Sequence, residues 1–405
     1  MLHPNSEPLP SLTATARRRA ARPGVLEALG PGLITGAADD DPSGIATYSQ
    51  AGAQFGFAML WTMVLTYPLM AAVQMVSARI GRVSGHGLAS NLARHYPGWP
   101  VWTVVALLCV ANTANIAADV AAMGDAAALV LGGRPHLYAI AFGCLSIGLQ
   151  IFVPYVRYVR ILKWLCLVLL AYVATALVVD VPWSRVLGAT LAPAIRLDGG
   201  YLTTLVAILG TTISPYLFFW QASQEVEEIH ADDSRDALRV SAKRARHHLR
   251  RIKVDTWFGM FVSNAVAFAI MLTAAVTFHE AGITTIDTSA QAAQALRPIA
   301  GDFAFALFAF GIIGTGMLAL PVLAGSAAYA VADALQWPHG LNLKFNEAKG
   351  FYTIIAVSTL VGTLIDFTPI DPLKALVVSA VINGVVAVPI MYVMMRLAMR
   401  HDVMG

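Results

Sequence analysis

Two proline-broken apolar stretches constrain this chain more than any other feature. Residues 30–50 have the length of a membrane span, yet Pro42 interrupts them, and Pro215 interrupts residues 205–223 in the same way. Proline removes a backbone donor and clashes with the preceding turn, so an apolar helix that carries it at mid-membrane depth leaves carbonyl groups unpaired. Such carbonyls are potential cation ligands when a carboxylate lies beside them.

The composition places the chain in a membrane. It is 57% hydrophobic and 13% charged over 405 residues, with a mean hydropathy of +0.65, whereas an ordinary soluble domain is about 25% charged. The net charge of +3 does not indicate nucleic-acid binding, because the basic residues fall in short loops. The cysteines have no CxxC spacing and are interpreted as small packing residues: Cys109, Cys144 and Cys166.

Runs of about 20 apolar residues predict an all-α integral membrane protein with ten spans. The predicted spans are 30–56, 57–78, 100–131, 137–155, 161–181, 201–224, 254–278, 300–335, 350–367 and 373–397. With both termini in the cytoplasm, 22 of the 27 Lys and Arg residues fall in cytoplasmic segments, as the positive-inside rule requires. We therefore expect a multi-pass protein of the plasma membrane, or of the inner membrane if the source is bacterial.

The spans divide the chain into two halves. Residues 1–24 are expected to form a cytoplasmic tail, although their arginine-rich, acid-poor start would also suit a transit peptide. A first repeat of five helices covers 25–181, an extracellular connection 182–200, and a second repeat 201–400. Within the second repeat, the basic loop 225–253 is expected to be a solvated amphipathic helix on anionic lipid headgroups.

Each set has an odd number of helices, so the second enters the membrane from the opposite side and the repeats are inverted. The broken segments are then helices 1 and 6, the first of each repeat. Paired broken helices in corresponding positions indicate the binding site of a transporter near the bilayer midplane.

Asp41 is the strongest single candidate for that site. A carboxylate at the bilayer centre costs at least about 2.5 to 3.5 kcal/mol, and the centres of the predicted spans contain no Lys or Arg, so a cation is the natural partner. The alternative is a protonated carboxyl that caps the helix at the break. The other candidate ligands are the hydroxyls of Ser43 and Ser214 and the carbonyls of Ala38 and Thr211, one turn before the prolines.

These donors are all oxygens, which suit magnesium, calcium or manganese. No Met or Cys stands at either break, and Gly44 leaves space. Because magnesium usually keeps several waters, a roomy oxygen site fits a partly hydrated magnesium ion. Asp40, like its neighbour Asp39, is expected to face the water-filled vestibule.

Span 3 carries Asn112, Asn115 and Asp119 on one helix face, which indicates either a polar path or interhelical hydrogen bonds. Asn383 is an isolated polar residue in span 10, and we expect it to form a hydrogen bond with a neighbouring helix. Both are candidates for the ion pathway.

The first broken stretch resembles a known family. Gly30-Pro31-Gly32, Asp41-Pro42 and the run Gln50-Ala51-Gly52-Ala53-Gln54-Phe55-Gly56 are similar to helix 1 of the Nramp divalent-metal transporters, whose LeuT-type fold has two inverted five-helix repeats. The family pattern is Asp-Pro-Gly-Asn in helix 1 and Met-Pro-His in helix 6, and this chain departs from both.

The resemblance implies that Asp41 is the metal-binding aspartate. The family's asparagine ligand falls on Gly44, its methionine ligand on Ser214, the following histidine on Tyr216, and its carbonyl ligands on Ala38 and Thr211. Loss of the thioether and of the histidine resembles the Nramp-related magnesium transporters and puts proton coupling in doubt.

The leading hypothesis is therefore a carrier for Mg²⁺, and also for Mn²⁺, that works by alternating access without proton coupling. A proton-coupled Mn²⁺ or Fe²⁺ importer with Asp119 as proton carrier is the alternative, and an amino-acid carrier ranks below it, because Asp41 would repel a substrate carboxylate. No enzyme motif, cofactor, nucleic acid or obligate protein partner is expected, and we expect a monomer among membrane lipids.

Overall fold

A computed structural model describes residues 35–36, 38–153, 167–230, 245–368 and 371–404, and every regular element in these ranges is helical. The first half has α1 to α7: Pro42–Phe55, Leu60–Ser84, Leu88–His95, Gly98–Leu131, Pro135–Phe152, Leu170–Val178 and Trp183–Leu191. The second half has α8 to α16: Gly199–Thr212, Pro215–His230, Ala245–Ala274, Ser289–Gln294, Arg297–Ala300, Ala304–Leu335, Lys349–Ile365, Pro372–Ala398 and His401–Met404.

In the described residues, seven helical stretches are long and apolar enough to cross a membrane, with α1 and α2 counted as one continuous stretch. An eighth is added if α6 and α7, which meet at 114°, are taken together. α14 is apolar but has only 17 residues. Each of the ten predicted spans overlaps a helix, while the predicted stretches 1–34 and 154–166 lie outside the described residues.

The spanning helices form two packed groups. α4 packs against α5, α13, α14 and α15, whereas α1 packs against α10, and α2 against α9 and α10. α15 joins the groups, because it packs against both α4 and α1, and it also packs against α8. The α8–α15 crossing is tight at Gly210, where a Cβ atom would come within 1.9 Å of the Ala380 carbonyl oxygen. The candidate residues lie where these two groups meet.

Both proline breaks are present where the sequence predicts them. Residues 38 and 39 are helical, Asp41 is extended (φ −70°, ψ 171°), and α1 restarts with Pro42 in its first turn. α8 ends at Thr212, and α9 restarts at Pro215. Proline is suited to a helix start because the first N–H groups have no intrahelical partner.

Two predicted connections contain helical residues. The connection 182–200 contains the helix α7, which packs against α2. Of the predicted loop 225–253, residues 231–244 lie outside the described residues, and both ends belong to the long helices α9 and α10. Basic residues extend α10 nine residues beyond the predicted boundary because an apolar run marks only the part of a helix inside the membrane, not its end.

The acidic end of α9 is not solvated as predicted. Glu227 accepts hydrogen bonds from the hydroxyl of Tyr329 (2.8 Å), the backbone N–H of Leu341 (3.0 Å) and the amide of Asn342 (2.7 Å). Glu228 pairs with Arg251 of α10. These contacts connect the end of α9 to α13, to the segment after α13 and to α10. The acidic side chains of α9 therefore bond to neighbouring parts of the protein.

Candidate functional site

The carboxylate of Asp41 is buried at the first break and caps the start of α1. Its Oδ1 accepts from the backbone N–H of Gly44 and the hydroxyl of Ser43, each at 2.8 Å. Its Oδ2 accepts from the amide of Asn115 at 2.9 Å and faces the hydroxyl of Tyr216 at 3.4 Å. The helix-cap geometry of the alternative interpretation is therefore present. Each of these neighbours is able to donate a hydrogen bond to the carboxylate.

Asn115 connects Asp41 to two further polar residues. Its Nδ2 also donates to Asp119 Oδ2 at 3.2 Å, and its Oδ1 accepts from Asn383 Nδ2 at 3.1 Å. Asn383 is thus part of the Asp41 cluster, although the sequence showed it only as an isolated residue. Asp119 Oδ1 and Asn383 Oδ1 are buried without a hydrogen-bond partner among the described residues. Such buried acceptors attract a proton or a cation.

The second break places its hydroxyls against backbone carbonyls. Ser214 Oγ lies 2.8 Å from the carbonyl oxygens of both Gly210 and Thr211. The Thr211 hydroxyl donates to Tyr48 on α1 at 2.8 Å. Tyr216 reaches across to the first break, where its hydroxyl donates to the Ala38 carbonyl at 3.0 Å. The carbonyls of Ala38 and Thr211, predicted to be unpaired, therefore accept hydrogen bonds from side chains.

Gly44 contributes its backbone N–H to Asp41 and has no side chain to coordinate an ion. A Cβ atom there would lie 3.3 Å from the Tyr48 ring, 3.5 Å from the Asp39 carbonyl oxygen and 3.6 Å from Asp41 Oδ1. A larger residue at this position would therefore point into the cluster, close to the carboxylate. The potential ligands for a cation at this break are therefore the oxygen atoms near Asp41.

The predicted place of Asp39 and Asp40 is wrong. Both are buried rather than facing a vestibule, and both contact the hydroxyl of Ser263 on α10, at 2.8 Å from Asp39 Oδ2 and 3.1 Å from Asp40 Oδ1. The helix turns between Asp39 and Asp41, so the side chains point to different neighbours. Ser263 and Tyr48 are the polar contacts that the sequence analysis missed. Nothing in the local pattern marks Ser263, since it is one hydroxyl in an apolar helix.

Asn112 lies on the same helix as Asn115 but does not join the cluster. Its amide donates to the Leu323 carbonyl and the Ser326 hydroxyl of α13, both at 2.8 Å. The sequence analysis offered two interpretations of these polar residues, a polar path or hydrogen bonds between helices. Asn112 makes hydrogen bonds between helices, while Asn115 and Asp119 face the broken helix. Within the described residues, no three His, Cys, Asp or Glu side chains are grouped so that they could hold a metal ion. A cation at Asp41 would thus rely on neutral oxygens and water.

A cavity of about 360 Å³ lies beyond the cluster. It is lined by α1, by the segment before α11 and by the start of α15, including Gln50, Asp287 and Lys374. A small cavity between Ile45 and Ile312 lies closer to the break and shares Ala46 and Ser49 with the larger one. Both cavities are thus lined in part by α1.

Comparison with known proteins decides the family. The model of the Nramp family, described as natural resistance-associated macrophage protein-like, matches residues 32–405. The chain belongs to the Nramp family. Its relatives include the divalent metal cation transporters MntH of Caldanaerobacter subterraneus subsp. tengcongensis (26% identity over 88% of this chain and 81% of the relative) and of Klebsiella pneumoniae (28%, 90% and 83%).

Solved structures support the fold of this Nramp protein. The manganese transporter of Eremococcus coleocola matches with a TM-score of 0.70 at 15% identity, over 90% of this chain and 78% of that one. Mhp1, a nucleobase-cation-symport-1 transporter, matches with a TM-score of 0.55 at 12% identity, over 86% and 74%. The predicted LeuT-type fold, with two inverted five-helix repeats and discontinuous helices 1 and 6, is thereby confirmed.

Proposed function

We propose that this Nramp protein transports a divalent metal cation, which it holds between its two broken helices with Asp41 as the charged ligand. The observation that carries the proposal is the position of Asp41: a buried carboxylate at the first break, next to the Ala38 carbonyl and linked through Tyr216 to the second break. A cation supplies the positive charge that balances this carboxylate, and the carbonyls supply neutral ligands.

Manganese is the cargo that the relatives favour, since matching proteins are named as divalent metal cation transporters and as a manganese transporter. The oxygen donors agree with it, because carboxylates, carbonyls and water suit Mn²⁺. The comparisons thus favour the alternative hypothesis of the sequence analysis over its leading one.

Magnesium is the second candidate, and the chemistry of the donors favours it. Ser214 offers no thioether, and the side chains within hydrogen-bonding distance of Asp41 are two hydroxyls and an amide rather than a thioether or an imidazole. A site made only of hard oxygens gives a transition metal little advantage over Mg²⁺. The membrane potential alone contributes about 4.6 kcal/mol to the uptake of a divalent ion at 100 mV.

Uptake by proteoliposomes with an inside-negative potential tests the function. We expect Mn²⁺ influx in the wild type and none in Asp41→Asn, which retains the helix cap because asparagine is as good an N-cap as aspartate. Asp125→Asn, a half-buried carboxylate on α4 outside the cluster, is the matched control and should transport normally. Influx that is the same in the Asp41 variant as in the wild type contradicts the proposal.

The same vesicles separate the two cargoes and test coupling. Mg²⁺ in thousandfold excess should suppress Mn²⁺ influx if the oxygen site accepts both, and no suppression rejects the magnesium candidate. A pH dye inside the vesicles reports proton movement. If Asp119 carries protons, metal-driven acidification should occur and Asp119→Asn should abolish it; acidification that persists in this variant excludes that role.

A further inference from the structure

Both backbone carbonyls that could bind the cation lie within hydrogen-bonding distance of hydroxyls of the second break. Tyr216 donates to the Ala38 carbonyl at 3.0 Å, and Ser214 Oγ lies 2.8 Å from the Thr211 carbonyl, which shares the single Ser214 proton with the Gly210 carbonyl at the same distance. Tyr216 and Ser214 are both buried, so water does not screen these contacts. The oxygens that make the site attractive to a cation thus have internal partners.

The carboxylate of Asp41 also has internal neighbours. Four polar groups surround it, and the most distant is the Tyr216 hydroxyl, 3.4 Å from Asp41 Oδ2, whose single proton can go to either Asp41 or the Ala38 carbonyl. The other three come from the start of α1 itself and from α4. Tyr216 alone belongs to the opposite broken helix. The hydroxyl of Tyr216 is therefore the neighbour of Asp41 that an arriving cation can displace with the least rearrangement of α1.

A hydroxyl that donates to a ligand oxygen competes with a cation for that oxygen, because both present positive charge to the same lone pairs. We propose that Tyr216 and Ser214 are internal competitors of the transported ion: their hydroxyls cap the Ala38 and Thr211 carbonyls, and cation binding displaces them. The inference rests on the proposed function, since it takes the ion to bind at these oxygens.

The position of Tyr216 gives the competition a consequence for transport. Tyr216 lies in the first turn of α9 but donates to the Ala38 carbonyl of the first break, so this hydrogen bond joins the two broken helices. Displacing it loosens that junction at the moment the ion binds, and restoring it helps to expel the ion. A transporter needs binding that is strong enough for entry and weak enough for release. The hydroxyls of Tyr216 and Ser214 weaken ion binding and so favour release of the ion.

Isothermal titration of Mn²⁺ into the full-length protein in detergent tests the proposal by the sign of the effect. Tyr216→Phe keeps the ring and removes the hydroxyl. We expect its Kd to fall five- to tenfold, equivalent to about 1 to 1.4 kcal/mol. Tyr172→Phe is the control, because the Tyr172 hydroxyl is buried without a hydrogen-bond partner among the described residues; its Kd should equal that of the wild type.

A Kd that rises in Tyr216→Phe overturns the proposal, since it makes the hydroxyl a ligand of the ion rather than a competitor. An unchanged Kd overturns it as well. A loss of packing cannot imitate the expected result, because damage to the site weakens binding. Ser214→Ala should also tighten binding by uncapping the Thr211 carbonyl, and the double variant should bind more tightly than either single one.

Transport kinetics provide a second readout. With the cap removed, KM and kcat should both decrease, because the ion binds more tightly and leaves more slowly; a lower kcat at unchanged KM contradicts the proposal. Asp41→Asn separates this inference from the proposed function. If the wild-type protein binds no Mn²⁺, both the proposed function and the competition by the hydroxyls are overturned. If binding depends on Asp41 but does not become tighter in Tyr216→Phe, only the competition is overturned.

Discussion

Replacing Asp40 by asparagine should stabilise the protein, although it alters a buried residue next to the site. Asp39 and Asp40 share one hydroxyl donor, and a hydroxyl has a single proton, so only one carboxylate can receive it at a time. The Asp39 oxygen and the Asp40 oxygen, at 2.8 and 3.1 Å from Ser263 Oγ, are at most 5.9 Å apart.

The expected gain follows from this distance. Two unit negative charges about 6 Å apart repel each other by about 3 kcal/mol at an effective dielectric constant of about 20, and this is the upper limit of the gain, because a proton on either buried carboxyl group removes the repulsion. The amide of Asp40→Asn removes the repulsion and can donate to Asp39, whose Oδ1 has no partner among the described residues. For a chain of 405 residues, about 3 kcal/mol corresponds to a rise of about 3 °C in the melting temperature.

The assay is thermal unfolding of the purified protein in detergent without divalent cations. Ser263→Ala should have the opposite effect, a loss of about 1.5 to 3 kcal/mol, because it removes the shared charged hydrogen bond. Asp40→Asn in the Ser263→Ala background should recover stability. Asp302→Asn, at a fully exposed carboxylate, is the control. If Asp40→Asn melts below the wild type, the two carboxylates are not a repulsive pair and the reasoning is refuted.

Two further results are expected. Gly210→Ala should destabilise the protein by about 1 to 3 kcal/mol, because the new methyl group overlaps the backbone of α15 at Ala380. Gly148→Ala, where a Cβ atom would have nothing within 4 Å, should leave the melting temperature unchanged; equal melting temperatures of the two variants contradict this. The pKa of His339 is lowered by burial but raised further by its bond to Asp333, so it lies above its ordinary value. This stabilisation is complete below about pH 6.5 and is lost as pH rises through the raised pKa, so the wild type should lose melting temperature over that range, and His339→Gln should not.

The architecture was largely predictable, because its signals are local and strong. Long apolar runs separated by basic loops identify spans whatever they pack against, and Pro42 and Pro215 must interrupt helices because they lack a donor. The charge of Asp41 at mid-span also marks a site without knowledge of its neighbours. Helix ends were less predictable: α10 begins at Ala245, since residues outside the hydrocarbon core can continue a helix without being apolar.

The partners of the polar side chains were decided by tertiary structure alone. Asn383 and Asn115 are far apart in the chain and similar in type to Asn112, yet packing brings the first two to Asp41 and turns Asn112 toward α13. Tyr216 could be placed on a broken helix from sequence, but its bond to the Ala38 carbonyl depends on how the two breaks face each other.

The sequence by itself therefore determined that this chain crosses a membrane and carries the Asp41 carboxylate at a broken helix, because hydrophobicity and proline act locally. Only the tertiary structure decided which oxygens surround that carboxylate and which hydroxyls cap them, because a hydrogen bond depends on distances of a few tenths of an ångström between segments far apart in the chain.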